Sequence, residues 1–265
     1  MNHGAVSVRP VFAVVLAALV LIAVTTVLAG RLNHAGGVAT AALRAVGQLG
    51  AVALLITAVL RSWWASAGFI TLMVLVAAAT SARRISSLRL GWPVLIPIAV
   101  GSLPICALVV TSGAVPLTQV AVVPIAGILV GGAMTAASLA GRRALDELRD
   151  RHGEYEAALA LGLAPRDAAL EICRPSAGQA LVPALDQTRT VGLVTLPGAF
   201  VGVLLGGGTP VQAGATQLLV LVALLAVEAI AVAVTVELVA NGLLSRPGPP
   251  HMTRSPRRLV TRSAG

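Results

Sequence analysis

Long apolar runs alternate with short polar breaks along this chain, and the lengths of the runs set the elements. A membrane-spanning helix needs about 20 mostly apolar residues. Seven runs approach that scale: Val11–Ala29, Ala39–Leu60, Trp63–Ser81, Trp92–Thr111, Val120–Ala140, Thr188–Leu205 and Gly214–Ala240. The pattern predicts an all-α, polytopic membrane protein with about seven transmembrane helices. One polar interval is much longer than the rest. Between Arg142 and Gln187 stand eight of the ten acidic residues, and such a stretch between apolar spans must stand in water.

Inside that interval the apolar positions Leu145, Leu148, Tyr155 and Leu159 recur at helical spacing, with Asp146, Glu147, Arg149, Asp150, Glu154 and Glu156 between them. This predicts an amphipathic helix from Ala144 to Leu161. Gly162 can take the left-handed conformation that ends a helix, Leu163 can fold back, and Pro165 suits the first turn of a new helix. Asp167 favours the positive end of that second helix, which is expected to run to about Cys173 before Pro175 stops it. Two short helices around a glycine corner are shaped to dock on a soluble partner.

Composition agrees with the pattern. The 57% hydrophobic and 11% charged residues lie far from the soluble average of about 45–50% apolar. A net charge of +9 would point to nucleic acid in a soluble chain, but all 19 basic residues are arginines, placed in loops and in the tail. Arg31, then Arg83, Arg84 and Arg89, then Arg142, Arg143, Arg149 and Arg151, and finally Arg246, Arg254, Arg257, Arg258 and Arg262 fall on one side of the seven spans, leaving Arg9 and Arg61 in the other connections. By the positive-inside rule this predicts an outside N-terminus and a cytoplasmic C-terminus. The expected organisation is a transmembrane domain over residues 1–245, with its cytoplasmic segment at about 141–187, and a disordered basic tail over 246–265. The first run ends in Val27-Leu28-Ala29, a small-residue pattern like a signal cleavage site, but its apolar core exceeds the usual length and favours a retained span. Cys106 and Cys173 imply no disulfide framework.

The run Glu156-Ala157-Ala158-x3-Gly162-x9-Ile172-x2-Pro175 resembles the E-A-A signature of permease subunits of ATP-binding-cassette transporters, with Arg174 where that signature usually has leucine. In those proteins the first helix is a coupling helix seated in a groove of a cytoplasmic ATPase. The resemblance therefore implies that Glu156, Ala157, Ala158 and Gly162 face such a partner. A narrower likeness is carried by Arg44 to Gln48, by Val123 to Gly127 and Gly132 to Met134, and by Pro183 to Asp186 with Thr190-Val-Gly-Leu-Val-Thr-Leu-Pro-Gly198. These resemble the FetB-type (UPF0014) permeases, a family with bacterial iron exporters and plant relatives tied to aluminium tolerance. It implies a homodimeric permease of the bacterial inner membrane working with a separate ATPase, and iron or another metal ion as cargo.

Pro197 and Gly198 sit within an apolar run, where they kink or break a helix, and Pro124 with Gly127 repeats the device in the fifth run. These four residues, with Met134, are the candidates to line or gate a pathway. Ionisable groups in apolar runs are costly and point to function. Arg44 and Gln48 are one turn apart in the second run, Glu228 lies in the last, and Asp186 with Arg189 opens the sixth. Arg44 and Gln48 fit a snorkelling arginine and an interhelical hydrogen bond somewhat better than a functional role, and Glu228 fits a cation ligand or proton acceptor as well as an internal hydrogen bond or a dimer contact. His3, His34, His152 and His251 form no metal-cage spacing, so the metal ligands are not defined by the sequence. There is no phosphate-binding loop and no lysine, which places ATP and Mg on the partner subunit and no cofactor in this chain. A non-catalytic permease subunit is therefore expected. The alternatives are import of a small solute such as an amino acid or, from another class, a seven-span receptor or an intramembrane enzyme. The lack of a catalytic constellation in the spans and the E-A-A spacing argue against the last two.

Overall fold

The computed structural model describes residues 10–32 and 35–246. The expected tail, apart from Arg246, lies outside the described residues, as do Arg9, His3, His34 and His251. The elements are α1 (Pro10–Ala29), α2 (Ala35–Val59), α3 (Trp63–Ile85), α4 (Leu88–Gly91), a 3-10 turn (Trp92–Val94), α5 (Leu95–Thr111), α6 (Gln119–Asp150), α7 (His152–Ala160), α8 (Pro165–Gly178), a second 3-10 turn (Gln179–Leu181), α9 (Val182–Thr190), α10 (Gly198–Leu205) and α11 (Pro210–Ala240). Among the described residues there is no strand, only an isolated bridge between Val191 and Thr195. Six helical stretches are long and apolar enough to cross a membrane: α1, α2, α3, the stretch Leu88–Thr111, α6 and α11. The chain is a polytopic all-α membrane protein.

It divides into two compact units at Ser66 and Ala67. In the first, α1 and α2 pack together, and neither buries a residue. The Ser66 hydroxyl donates to the Val59 carbonyl at 2.9 Å, bracing the turn between α2 and α3.

The second unit is built on α5, α6, α8 and α11, with the end of α3. Its core is made of small residues. Ala133, Ala136, Ala137, Ala140 and Ala144 are buried along α6, and Val220, Ala223, Val227 and Ala231 along α11. In a bilayer, helix association has little hydrophobic drive, so close approach through small side chains supplies the packing. Buried hydroxyls join in. Ser138 donates to Ser81 at 2.8 Å, and Ser81 donates to the Met134 carbonyl at 3.2 Å.

Helices α6 and α11 run in the same direction. Gly132 lies against Leu224 and Glu228, and further along Asp146 meets Arg246, just past the end of α11. The chain between them must therefore travel back along the length of α11. It does so in pieces. The run Thr188–Leu205, expected as one span, is broken: α9 ends at Thr190, residues 191–197 are irregular, and α10 starts at Gly198. Pro197 has no N–H for the carbonyl four residues back and turns Leu196 away from the helical region, so it serves as the N-cap of α10 instead. A box between Thr209 and Gln212 then starts α11, with Pro210 in the first turn.

Candidate functional site

The polar interval differs from its expected shape in two respects. The helix expected from Ala144 to Leu161 is not continuous, because α6 carries on to Asp150, Arg151 leaves helical geometry (φ −107, ψ 31), and α7 follows. Leu145 and Leu148 thus belong to α6 and pack on the core. The Arg151 guanidinium fastens the joint: Nε donates to Glu154 Oε1 at 2.8 Å and Nη1 to Glu147 Oε1 at 3.3 Å. That hydrogen bond holds the Glu154 carboxyl below its ordinary range and raises Arg151. The second difference is that α8 runs through Pro175 to Gly178. Pro175 removes a single hydrogen bond, to the carbonyl of Glu171, and both residues are exposed, so water can serve the freed group.

The corner itself has the expected form. Gly162 is left-handed at φ +94. Its N–H donates to the Leu159 carbonyl at 3.0 Å, and Leu163 N–H to the Ala158 carbonyl at 3.1 Å, the double closure of a Schellman end. Pro165 opens α8, whose inner face buries Ala168, Ala169, Leu170, Ile172, Cys173 and Ala177. Burial, with the nearby Glu147 charge, pushes the Cys173 thiol up to about 11. Arg166 anchors the corner to α11 through a two-pronged pair with Glu237, at 3.0 and 2.8 Å. Arg174, where the resembling signature has leucine, approaches the same carboxylate at 4.0 Å. By contrast α7 buries nothing. Ala157, Leu161 and Gly162 are exposed, Ala158 is half-buried, and the Glu156 side chain keeps 68% of its exposure although it faces His152 at 3.2 Å. The four residues expected to meet a partner thus lie on an exposed knob, joined through Gly162 to α8, whose inner face packs on the core.

A second place gathers chemistry inside the apolar body. Glu228 on α11 retains 9% of its exposure and has no hydrogen bond or ion pair with any described residue. It opens onto a cavity of about 240 Å³ lined also by Gly131, Gly132 and Thr135 of α6 and by Pro183 and Gln187 of α9. A methyl group on Gly132 would come within 2.2 Å of Leu224 and 3.0 Å of the Glu228 carboxylate, so glycine there admits the acid.

The other expected site residues are dispersed. Pro124 sits exposed in an uninterrupted α6, so it does not break that helix. Gly127 packs on the tip of Met73, and Met134 contributes its carbonyl to Ser81. Pro197 and Gly198 form the start of α10 rather than a bend within a helix. Asp186 and Arg189 pair with each other at 3.5 Å on α9. Arg44 and Gln48 are exposed on α2, in the first unit, one turn apart and without a hydrogen-bond partner among the described residues. Sequence reasoning missed Thr135 and Gln187 as neighbours of Glu228, because only the fold of α9 against α6 and α11 joins them. It also missed the Arg166–Glu237 anchor.

Comparison with known proteins places this arrangement in a family. The chain is 33% identical over 209 residues to the UPF0014 membrane protein STAR2 of Oryza sativa subsp. japonica, covering 77% of this chain and 73% of that protein. It is 36% identical over 129 residues to the probable iron export permease protein FetB of Escherichia coli (strain K12), covering 47% of this chain and 48% of that one. Over 106 residues it is 40% identical to the protein ALUMINUM SENSITIVE 3 of Arabidopsis thaliana, covering 40% and 39%. No solved structure matches the chain. The model of the uncharacterised protein family UPF0014 matches residues 11–244, and the chain belongs to that family.

Proposed function

We propose that this protein is the membrane permease of an ATP-driven metal exporter, working as a homodimer in the bacterial inner membrane with a separate ATPase and carrying iron or a similar metal ion. The observation that carries this reading is the α7–Gly162–α8 corner: an exposed knob with closed backbone ends, tied to α6 by the core and to α11 by Arg166 and Glu237. Such a knob presents Glu156, Ala157 and Ala158 to a groove while α8 passes the displacement to both long helices. Its spacing resembles that of the coupling segment in ATP-binding-cassette permeases, and one relative is described as a probable iron export permease protein. The corner lies in the cytoplasm in this reading, which the arginine bias supports. Helices α9 and α10 form a broken seventh crossing, which returns the chain so that the parallel α6 and α11 both end on the cytoplasmic side. ATP and Mg act on the partner subunit. There, ATP-driven closure favours one of two arrangements of the permease, which is what alternating access needs.

The test is ATP-dependent uptake into inverted vesicles holding the permease and its ATPase, with ferrous, ferric and manganous ions and amino acids compared. Metal accumulation that needs both ATP and the ATPase is the expected result. Equal transport without the ATPase, or accumulation of amino acids alone, overturns the reading.

A further inference from the structure

We propose that the cavity between α6, α9 and α11 is a binding site for a hydrated, hard metal cation, held by the Glu228 carboxylate, the Gln187 amide oxygen and the Thr135 hydroxyl. This deepens the reading of the chain as a metal permease and rests on it for its purpose. An unpaired carboxylate set in an apolar body is costly, and it persists where it has work to do. Glu228 is nine-tenths buried, has no partner among the described residues, and faces a partly open cavity between helices, with Thr135 and Gln187 exposed at its edge.

The lining selects the class of ligand. Thr135 spends its proton on the Gly131 carbonyl at 3.0 Å, leaving its oxygen to accept or to ligate. Gln187 stands in the last turn of α9, next to the break, so the negative end of that helix faces the same region. Discontinuous helices in transporters place their C-terminal ends toward cations in this way. No arginine lines the space, since Arg189 is paired with Asp186 and lies outside it. Every donor is oxygen, and no histidine or cysteine contributes. That set suits hard ions and disfavours soft ones. At about 240 Å³ the cavity is too large for a bare ion, and with liquid water occupying about 30 Å³ per molecule it admits the ion with several of its waters. One carboxylate and two neutral oxygens bind weakly, which is what a transported ion requires in order to leave.

The experiment uses the full-length permease, purified into lipid nanodiscs without the ATPase, and titrates Mn2+ by the loss of its free electron-paramagnetic-resonance signal. One saturable site per chain in the range of about 0.1–1 mM is expected, by comparison with weak oxygen-ligand sites. Glu228→Gln should weaken it about tenfold or more, as expected when a charged ligand is lost, while Glu228→Asp retains measurable binding. Gln187→Glu, which places a second carboxylate across the cavity, should tighten it. This variant keeps the idea open to refutation if Glu228→Gln does not fold. Absence of a saturable site in the wild type, unchanged affinity in a folded Glu228→Gln, or no tightening in Gln187→Glu overturns the proposal. Metal transport driven by ATP in a protein that fails these tests would leave the permease reading standing without this site. Mn2+ binding that depends on Glu228 in a protein with no ATP-driven metal transport would leave the site and remove the permease reading.

Discussion

The chain makes the same move twice, once in a polar stretch and once in an apolar one. At Gly162 to Pro165 and again at Gly192 to Gly198 a helix ends near a left-handed glycine and a new helix opens at a proline or just after one. In the polar corner the ending is closed by two backbone bonds, the following helix is buried along one face, and ion pairs fix it to α11. In the apolar break the closures are local ones among residues 190–195, and Leu193, Val194 and Leu196 stand exposed, Leu193 to 91%. Irregular backbone at membrane depth persists only where protein or water covers it. The corner is therefore complete within one chain, whereas the break, set in the membrane by the proposed seventh crossing, would need a cover from outside it.

Accessibility should separate the two most sharply. In a background with Cys106→Ser and Cys173→Ala, Leu161→Cys is expected to react fully with a water-soluble maleimide from the arginine-rich side, and Leu193→Cys hardly at all from either side. Rapid labelling of Leu193→Cys in intact membranes would show that the break stands in water and erase the contrast. Next in size, Gly162→Val forces a β-branched residue into left-handed geometry, at a cost of at least about 1–2 kcal/mol, in the element proposed to meet the ATPase. It should remove stimulated ATPase activity and transport together while leaving insertion intact. Gly192→Val, at φ +82, should lower transport but keep ATPase association in a pull-down. Reversal of that pattern would assign coupling to the break.

Smaller effects concern how the corner is held. Arg166 and Glu237 are each nearly half exposed, so a double-mutant cycle with Arg166→Ala and Glu237→Gln should give a coupling of about 1 kcal/mol or less; a much larger value would mean that the anchor is covered in the assembled protein. Smallest is the joint at Arg151. Because the Glu154 carboxyl is held low by its hydrogen bond with Arg151, its contribution is present at neutral pH and lost as pH falls through and below the ordinary carboxylate range. Amide protection factors in α7, taken against the intrinsic exchange rate at each pH, should fall slightly on acidification in the wild type and not in Glu154→Gln.

The sequence made the apolar helices legible because run length is a direct readout of bilayer thickness. It also made the Gly162 corner legible, because a left-handed glycine followed by proline has few other solutions. It overestimated continuity at Thr188–Leu205, where hydropathy stays high while Gly192 and Pro197 deny the backbone a helix. It likewise joined Leu148 to Tyr155 as one helical face, because periodicity does not register a one-residue joint such as Arg151. Glu228 stood out as an intramembrane acid, but its cavity did not. Gln187 carries no local signal and joins the acid only after α9 folds back.

The uninterrupted length of α6 has a mechanical consequence. At 1.5 Å per residue its 32 residues form a rod of about 48 Å, with the corner at one end and Gly132, the floor of the Glu228 cavity, about four tenths of the way from the other. With the N-terminal end as fulcrum, a sideways displacement of the corner arrives beneath the Glu228 carboxylate reduced to about four tenths of its size, so the stiff beam would deliver to the proposed cation site a smaller movement than the one that enters at the surface.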